Sequence, residues 1–213
     1  MVGGDDVEFL REFAAAHNLR LSIAIFPFMG IWELPSRDVV DVAASGISRT
    51  PDRMTSASFW SEPYASVRRS ALVLAEDSRA GYDHFERFSV VGESEAHTHA
   101  TRYLPKGARL QLTPSIESGV GSLLRGETDA VGTGSVSAVY QADRDKRLKV
   151  LDLQTEEDTP ELISFSIRRE QSLLEAINDF IISRAAKILI DDKKDRIYRR
   201  RIQLNDFTRT EDE

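Results

Sequence analysis

The chain has 213 residues, enough for one large domain or for two lobes of about 100 residues each. Hydrophobic residues make up 41% and charged residues 30%, an ordinary globular balance that argues against disorder. The net charge of -7 repels phosphate backbones, so no nucleic-acid partner is expected. The absence of cysteine excludes disulfides, thiolate nucleophiles and cysteine-ligated zinc.

The apolar stretches are short. The longest, residues 23–27 and 71–75, fall far below the ~20 residues that a membrane-spanning helix needs. The first six residues lack the basic region and apolar core of a signal peptide. These features indicate either a cytoplasmic protein or a mature or trimmed chain.

The first predicted elements alternate between helix and strand. Residues 5–18 are predicted to form an amphipathic helix, because their apolar residues recur every three or four positions. Alternation and β-branched content predict a strand at residues 19–26. The apolar run 39–43 predicts a strand buried on both faces of a parallel sheet, and residues 70–75 predict another strand.

A second α/β unit is predicted to begin at residue 88. Its strands are placed at 88–91, 109–112, 129–131 and 148–151, and its helices at 95–103, 115–124 and 135–142. Residues 162–167 then predict a strand, and helical periodicity continues from residue 170 to about residue 202.

Two polar stretches, residues 76–86 and 152–160, are interpreted as hinge connectors. Lobe 1 is therefore predicted to comprise residues 1–80 and 158–213, and lobe 2 residues 85–153. A chain that crosses twice between two lobes forms a cleft, and such clefts bind ligands. The predicted fold class is α/β with two lobes.

Four motifs resemble the family 3 bacterial extracellular solute-binding proteins, the last being residues 164–167 with 173–177, which resemble the strand and helix that return to lobe 1 in this family. Residues 41–53 (DVAASGISRTPDR) resemble its strand, small-residue loop and Thr-Pro-Glu-Arg sequence. Residues 59–64 (FWSEPY) resemble its Phe-Ser-X-Pro-Tyr motif with Trp60 inserted, and residues 123–131 (LLRGETDAV) its Leu-X-X-Gly-X-X-Asp-Ala signature. The resemblance implies a type II periplasmic-binding-protein-like fold, a periplasmic or extracellular location, and a transporter or receptor as partner.

The resemblance also implies the ligand-binding residues. Arg53 occupies the position of the arginine that holds the ligand carboxylate, and the N–H groups of Gly46 and Ser48 are expected to add donors. Ser94, at a strand-to-helix turn, and Phe28, in the position of an aromatic lid, complete the expected contacts. The alternatives are a surface arginine paired with Asp52 or Glu62, a helix-capping Ser94 and a core Phe28.

Two departures from the family pattern shape the functional prediction. The chain begins after the family's opening strand, so lobe 1 is expected to be incomplete at its N-terminus. Formation of a homodimer, the long C-terminal helix or strand exchange is expected to compensate for this. Gly134 stands where the family's amino-acid binders place an acidic residue that holds the ligand ammonium. We therefore expect a small polar, anionic solute, with an α-amino acid less favoured.

Two other functions remain open. One is a degenerate interaction domain that binds no solute. The other is a dehydratase-like enzyme, but Ser137 stands where that reaction needs a general acid, so the chain is predicted not to be an enzyme. His97 and His99 are two residues apart on a predicted helix and point in different directions, so neither a metal nor a cofactor is predicted.

Overall fold

A computed structural model describes residues 4–54, 57–155 and 158–191, with side chains described as far as residue 185. The chain divides into two compact units. Unit 1 comprises Met1–Phe26, Gly30–Ser66 and Leu162–Glu213, and unit 2 comprises Pro27–Met29 and Val67–Glu161. Among the described residues, no helix combines the length and the apolar character that crossing a bilayer requires.

Unit 1 is a small sheet covered by two helices. Strands β1 (Val42–Ala43), β10 (Ser166–Ile167) and β2 (Phe59–Trp60) pair in the order β1-β10-β2, antiparallel throughout. Helices α1 (Asp5–Ala16) and α6 (Gln171–Asp191) belong to the same unit. The core shared by the helices and the sheet consists of Phe9, Phe13, Phe165, Ile167, Ile177 and Ile181.

Two predictions for unit 1 are wrong. Residues 19–26 form no strand, since no described strand lies beside them to accept their hydrogen bonds. The predicted strand 39–43 shortens to Val42–Ala43 and joins an antiparallel sheet, and Val39 is 51% exposed. The short helix α2 (Pro51–Met54) follows. The predicted extension of the last helix to residue 202 lies outside the described residues.

Unit 2 is a five-stranded sheet with order β6-β5-β7-β4-β8. Its strands are β4 (Arg69–Leu74), β5 (Arg87–Val91), β6 (Arg109–Thr113), β7 (Ala130–Gly134) and β8 (Leu148–Asp152), and its helices are α3 (Glu95–Tyr103), α4 (Ile116–Leu124) and α5 (Ser135–Arg144). β5 is parallel to β6 and β7, whereas β4 is antiparallel to β7 and β8. Its three inner strands, β5, β7 and β4, are mostly buried on both faces of the sheet.

Alternate side chains of a single strand contribute to the two hydrophobic cores on opposite faces of this sheet. In β4, Ala71 and Val73 enter one core, while Leu72 and Leu74 enter the other. Because successive side chains of a strand point to opposite faces, a continuous apolar run is what a strand between two helical layers requires. Phe88 is fully buried in the first of these cores.

The unit boundaries differ from the predicted lobes. Strand β4 was assigned to lobe 1, but it pairs with β7 and β8 in the centre of unit 2. The predicted connector 76–86 also lies within unit 2, since Tyr82 and Phe85 are buried in its core. The boundaries between unit 1 and unit 2 fall instead within two short strands, β3 (Ala65–Val67) and β9 (Glu161–Ile163), which pair with each other.

Asp158 attaches the second predicted connector to helix α3. Its Oδ2 accepts hydrogen bonds from the Thr155 N–H at 2.9 Å and hydroxyl at 2.7 Å, and lies 2.9 Å from His99 Nε2. The Tyr103 hydroxyl donates to Oδ1 at 3.2 Å. Desolvation raises the pKa of Asp158, but the hydrogen bonds from Thr155 and His99 outweigh it and hold this pKa well below its ordinary value.

This network predicts a pH-dependent stability. A depressed folded-state pKa means that the contribution of Asp158 is fully present above the unfolded-state pKa of about 3.9. It is lost as the pH falls through the folded-state value. We expect Asp158→Asn to cost about 1–3 kcal/mol at pH 7 and progressively less in acid. Thermal unfolding followed by circular dichroism at several pH values measures this difference.

Asp143→Asn is the control, since Asp143 is exposed and pairs with Lys146 only at 3.7 Å. Its melting temperature should differ little from that of the wild type at every pH. A destabilisation by Asp158→Asn that is the same at pH 7 and pH 3 would contradict the assigned role of the Asp158 carboxylate.

Candidate functional site

Arg53 is a buried residue of unit 1, not the surface arginine of the alternative interpretation. It lies in helix α2 and is 5% exposed. Its Nη1 donates to the Ser48 carbonyl at 3.0 Å, and its Cζ lies 4.4 Å from the centroid of the Trp32 ring. The hydrogen bond and the cation–π contact fix the plane of the guanidinium. An oriented guanidinium with little surrounding water is suited to binding a carboxylate.

The loop before Arg53 is held by backbone contacts. Gly46 adopts a left-handed conformation with φ of 60°, which favours glycine at this turn. Ser48 is 6% exposed, and its carbonyl also accepts the Thr50 N–H at 3.1 Å. The guanidinium of Arg53 is thus bound to the loop that precedes it, and contact of Gly46, Ser48 or Arg53 with a ligand remains a prediction.

The N–H of Gly46 has a partner that the sequence did not indicate. It donates at 2.9 Å to Oδ2 of Asp6, whose Oδ1 accepts the Tyr64 hydroxyl at 2.8 Å. Desolvation raises the pKa of Asp6, and the two hydrogen bonds oppose that rise. The donor expected to bind a ligand is thus occupied by a carboxylate of the chain itself.

Ser94 in unit 2 caps helix α3. Its Oγ accepts the His97 N–H at 3.2 Å and donates to the Val91 carbonyl at 2.7 Å. Capping accounts for the serine at this position. Phe28 is half-buried and belongs to the short segment Pro27–Met29, which groups with unit 2. Contact of either residue with a ligand remains a prediction.

Gly134 is the last residue of β7 and precedes helix α5. A Cβ at this position would lie 3.4 Å from Val67 Cγ2 and 3.9 Å from Nη2 of Arg69. Arg69 is 6% exposed and forms an ion pair with Glu161. A guanidinium therefore borders the position where the family's amino-acid binders place a carboxylate.

The surroundings of Arg69 contain unused donors. Its backbone N–H donates to Oε1 of Gln154 at 2.7 Å, which holds the Gln154 side chain against strand β4. Arg69 Nε and Gln154 Nε2 are both buried and have no acceptor among the described residues. Buried donors without acceptors are costly, so this part of unit 2 favours an incoming acceptor over an incoming donor.

Sequence reasoning missed Arg69, Gln154, Glu161 and Asp6. For Arg69 one signal existed, since alternation in β4 places it on the same face as the buried Ala71 and Val73. The contact from Asp6 to Gly46 joins residues 40 positions apart in the sequence. No local pattern indicates such a contact.

Comparison with known proteins assigns the family. A model of the bacterial extracellular solute-binding proteins, family 3, matches residues 2–200. The chain belongs to this family. It is 25% identical over 206 residues to the probable histidine-binding protein of Neisseria gonorrhoeae, covering 92% of this chain and 74% of that protein. The family is described as one of extracellular proteins.

Solved structures confirm the predicted two-lobed α/β fold class. An amino-acid ABC transporter substrate-binding protein of Streptococcus pneumoniae, AbpA bound to L-arginine, superposes with a TM-score of 0.80 at 19% identity, covering 95% of this chain and 86% of that chain. The ancestral amino-acid-binding protein AncCDT-1, a precursor of cyclohexadienyl dehydratase, gives a TM-score of 0.77 at 20% identity, covering 93% and 85%. Both proteins are named as binding proteins.

Proposed function

We propose that this protein binds a small carboxylate-bearing solute on the periplasmic or extracellular side and presents it to a membrane transporter or receptor. The family membership supplies the class of function. The relatives named above are binding proteins of amino-acid type, which supports binding over catalysis. The observation that carries the proposal is the buried, oriented guanidinium of Arg53 at the family's carboxylate-binding position.

The physical basis is the geometry of arginine. A guanidinium is always charged and donates two parallel hydrogen bonds to the two oxygens of a carboxylate. Removal from water strengthens this interaction. Trp32 and the Ser48 carbonyl have already restricted the side chain, so little further entropy is lost when a carboxylate binds.

The surroundings of Gly134 refine the proposed solute class. Gly134 itself has no carboxylate to bind an ammonium, and Arg69 borders the position. The unsatisfied donors on Arg69 and Gln154 favour acceptor oxygens. We therefore favour a dicarboxylate, hydroxy acid or other solute without an α-ammonium, although one relative is named as a probable histidine-binding protein and another has L-arginine bound.

Calorimetric titration with matched pairs of solutes tests the proposal. Each pair combines an α-amino acid with the 2-oxo or 2-hydroxy acid of the same side chain, and arginine and histidine are included. Tighter binding of the acids supports the assigned class. Equal or tighter binding of the amino acids would still agree with Arg53 as the carboxylate-binding residue. It would reject the inference from Gly134 that the solute lacks an α-ammonium. Binding of no member would favour an interaction domain, consistent with Asp6 occupying the Gly46 N–H.

Gly134→Asp is expected to change this preference. The introduced carboxylate would border Arg69. Because Arg69 is already paired with Glu161, it would neutralise the new carboxylate only in part, and the remaining negative charge is available to an α-ammonium. A charge-assisted hydrogen bond of about 1.5 kcal/mol corresponds to roughly tenfold in affinity. We expect amino acids to gain about tenfold over their 2-oxo partners. Gly134→Asn, equal in size and uncharged, should show no such gain, and an equal effect of both variants would reject the electrostatic explanation.

A further inference from the structure

The sheet of unit 1 has two unlike faces. Phe165 and Ile167 pack into the apolar core that α1 and α6 share with the sheet. Because successive side chains of an extended chain alternate, Ser164 and Ser166 lie on the opposite face. Both serines are completely buried. A buried hydroxyl group normally has a hydrogen-bond partner, so the partner of such a serine indicates what the second face of the sheet supports.

Ser166 holds the backbone of Trp32. Its Oγ donates to the Trp32 carbonyl at 2.7 Å, and the Ser58 Oγ donates to the same carbonyl at 3.3 Å. Trp32 lies in a short 3-10 turn, Ile31–Glu33, which follows Gly30 in a left-handed conformation with φ of 70°. A single turn of this kind has few hydrogen bonds of its own. The two serine hydroxyls therefore fix the position of the Trp32 backbone.

The Trp32 ring in turn orients Arg53. The Cζ atom of Arg53 lies 4.4 Å from the centroid of this ring, and the arginine is buried. Tryptophan attracts a cation more strongly than the other aromatic residues do, and removal from water strengthens the attraction. A serine of strand β10 is thus connected to the guanidinium through one hydrogen bond and one cation–π contact.

We propose that Trp32 and Ser166 are positioning residues of the carboxylate site. Ser166 fixes the Trp32 backbone, and the Trp32 ring holds the Arg53 guanidinium in the plane in which it binds a carboxylate. The inference rests on the proposed function, and neither residue needs to touch the solute. A side chain that is already restricted loses little rotational freedom on binding. Without the ring or its support, that freedom is lost when the solute binds, and the affinity falls.

Trp32→Leu should weaken solute binding by roughly three- to tenfold, which corresponds to the cost of immobilising one long side chain. Trp32→Phe should recover part of the loss, because phenylalanine also presents a ring face to a cation, with a weaker attraction. In an Arg53→Ala background, Trp32→Leu should have no further effect, since the group that it positions is gone. Isothermal titration with the solute that the wild type binds most tightly measures all three effects.

Ser166→Ala should weaken binding by roughly two- to fivefold, because Ser58 still donates to the Trp32 carbonyl. Ser164→Ala is the matched control. It removes an equally buried hydroxyl group from the same face, but the Ser164 Oγ has no hydrogen-bond partner among the described residues. Its affinity should equal that of the wild type. Circular dichroism at the titration temperature shows that both variants are folded.

Tryptophan fluorescence tests the contact between Trp32 and Arg53 without a solute. The chain has two tryptophans, so Trp60→Phe leaves Trp32 as the single one. In this background, Arg53→Met should change the Trp32 emission in the free protein, because it removes the cation that lies over the ring. Addition of solute to the protein that retains Arg53 should change the emission as well.

The outcomes separate this inference from the proposed function. If Arg53→Ala weakens binding while Trp32→Leu does not, the positioning role is overturned and the proposed function stands. Equal effects of Ser166→Ala and Ser164→Ala would overturn the role of Ser166. A Trp32 emission that is insensitive to Arg53→Met would overturn the role of the ring. Equal affinity of the wild type and Arg53→Ala, or binding of no solute, would overturn the proposed function and this inference together.

Discussion

Arg53→Ala is expected to weaken solute binding by about two to four orders of magnitude. The variant removes two charge-assisted hydrogen bonds to the carboxylate, each contributing about 1.5–3 kcal/mol. A factor of ten in affinity corresponds to about 1.4 kcal/mol, which gives the expected range. Isothermal titration with the solute that the wild type binds most tightly measures the change.

Two controls separate binding from folding. Arg53→Lys keeps the positive charge but not the planar pair of donors, so its affinity should lie between those of the wild type and the alanine variant. Arg49→Ala removes a half-buried arginine of the same loop, whose Nη1 lies 3.4 Å from the Ser61 carbonyl. It should bind solute nearly as the wild type does. Equal affinity of the wild type and the Arg53→Ala variant would show that Arg53 does not bind the solute.

The second large effect is expected from Gly132→Val, which should destabilise unit 2 by about 3 kcal/mol. Gly132 lies in β7, directly opposite Val90 in β5 and Ala71 in β4. A Cβ there would lie 2.5 Å from Cε1 of Phe88 and 2.9 Å from Cγ1 of Val90. Neither neighbour has room to move, because both are fully buried. Denaturant unfolding monitored by circular dichroism measures the loss.

Gly81→Val is the control for the loss of glycine itself, since a Cβ at Gly81 meets no atom within 4 Å and the backbone is extended there. It should change stability by only a few tenths of a kcal/mol. If the Phe88 ring causes the clash, Phe88→Leu should reduce the cost of Gly132→Ala in a double-mutant cycle. A Gly132→Val protein as stable as the wild type would contradict the packing of this sheet.

Helix positions followed closely from the sequence. The helices predicted at residues 5–18, 95–103 and 115–124 correspond to α1, α3 and α4 within two residues at each end, and the first and last of them were predicted from apolar spacing. Amphipathic periodicity is a local property, because each helix closes its own backbone hydrogen bonds and needs only one apolar face. Strands 88–91 and 109–112 were also predicted within one residue.

Strand pairing did not follow from the sequence. Residues 19–26 have a strand-like pattern, yet they are unpaired among the described residues, and β4 pairs in unit 2 although it was assigned to lobe 1. A strand is completed by hydrogen bonds to a neighbour that is distant in sequence. Its own residues therefore do not specify which neighbour it has.

The sequence by itself determined the family, through four short motifs in the right order. It also placed Gly46 and Arg53 within one of these motifs, and Gly134 at the position where the amino-acid binders of the family have an acidic residue. Only the tertiary structure showed that Asp6 occupies the Gly46 N–H and that Arg69 borders Gly134. The physical reason is that motifs record contacts made within a short stretch of chain. The charge around a site depends on side chains that folding brings from distant strands and helices.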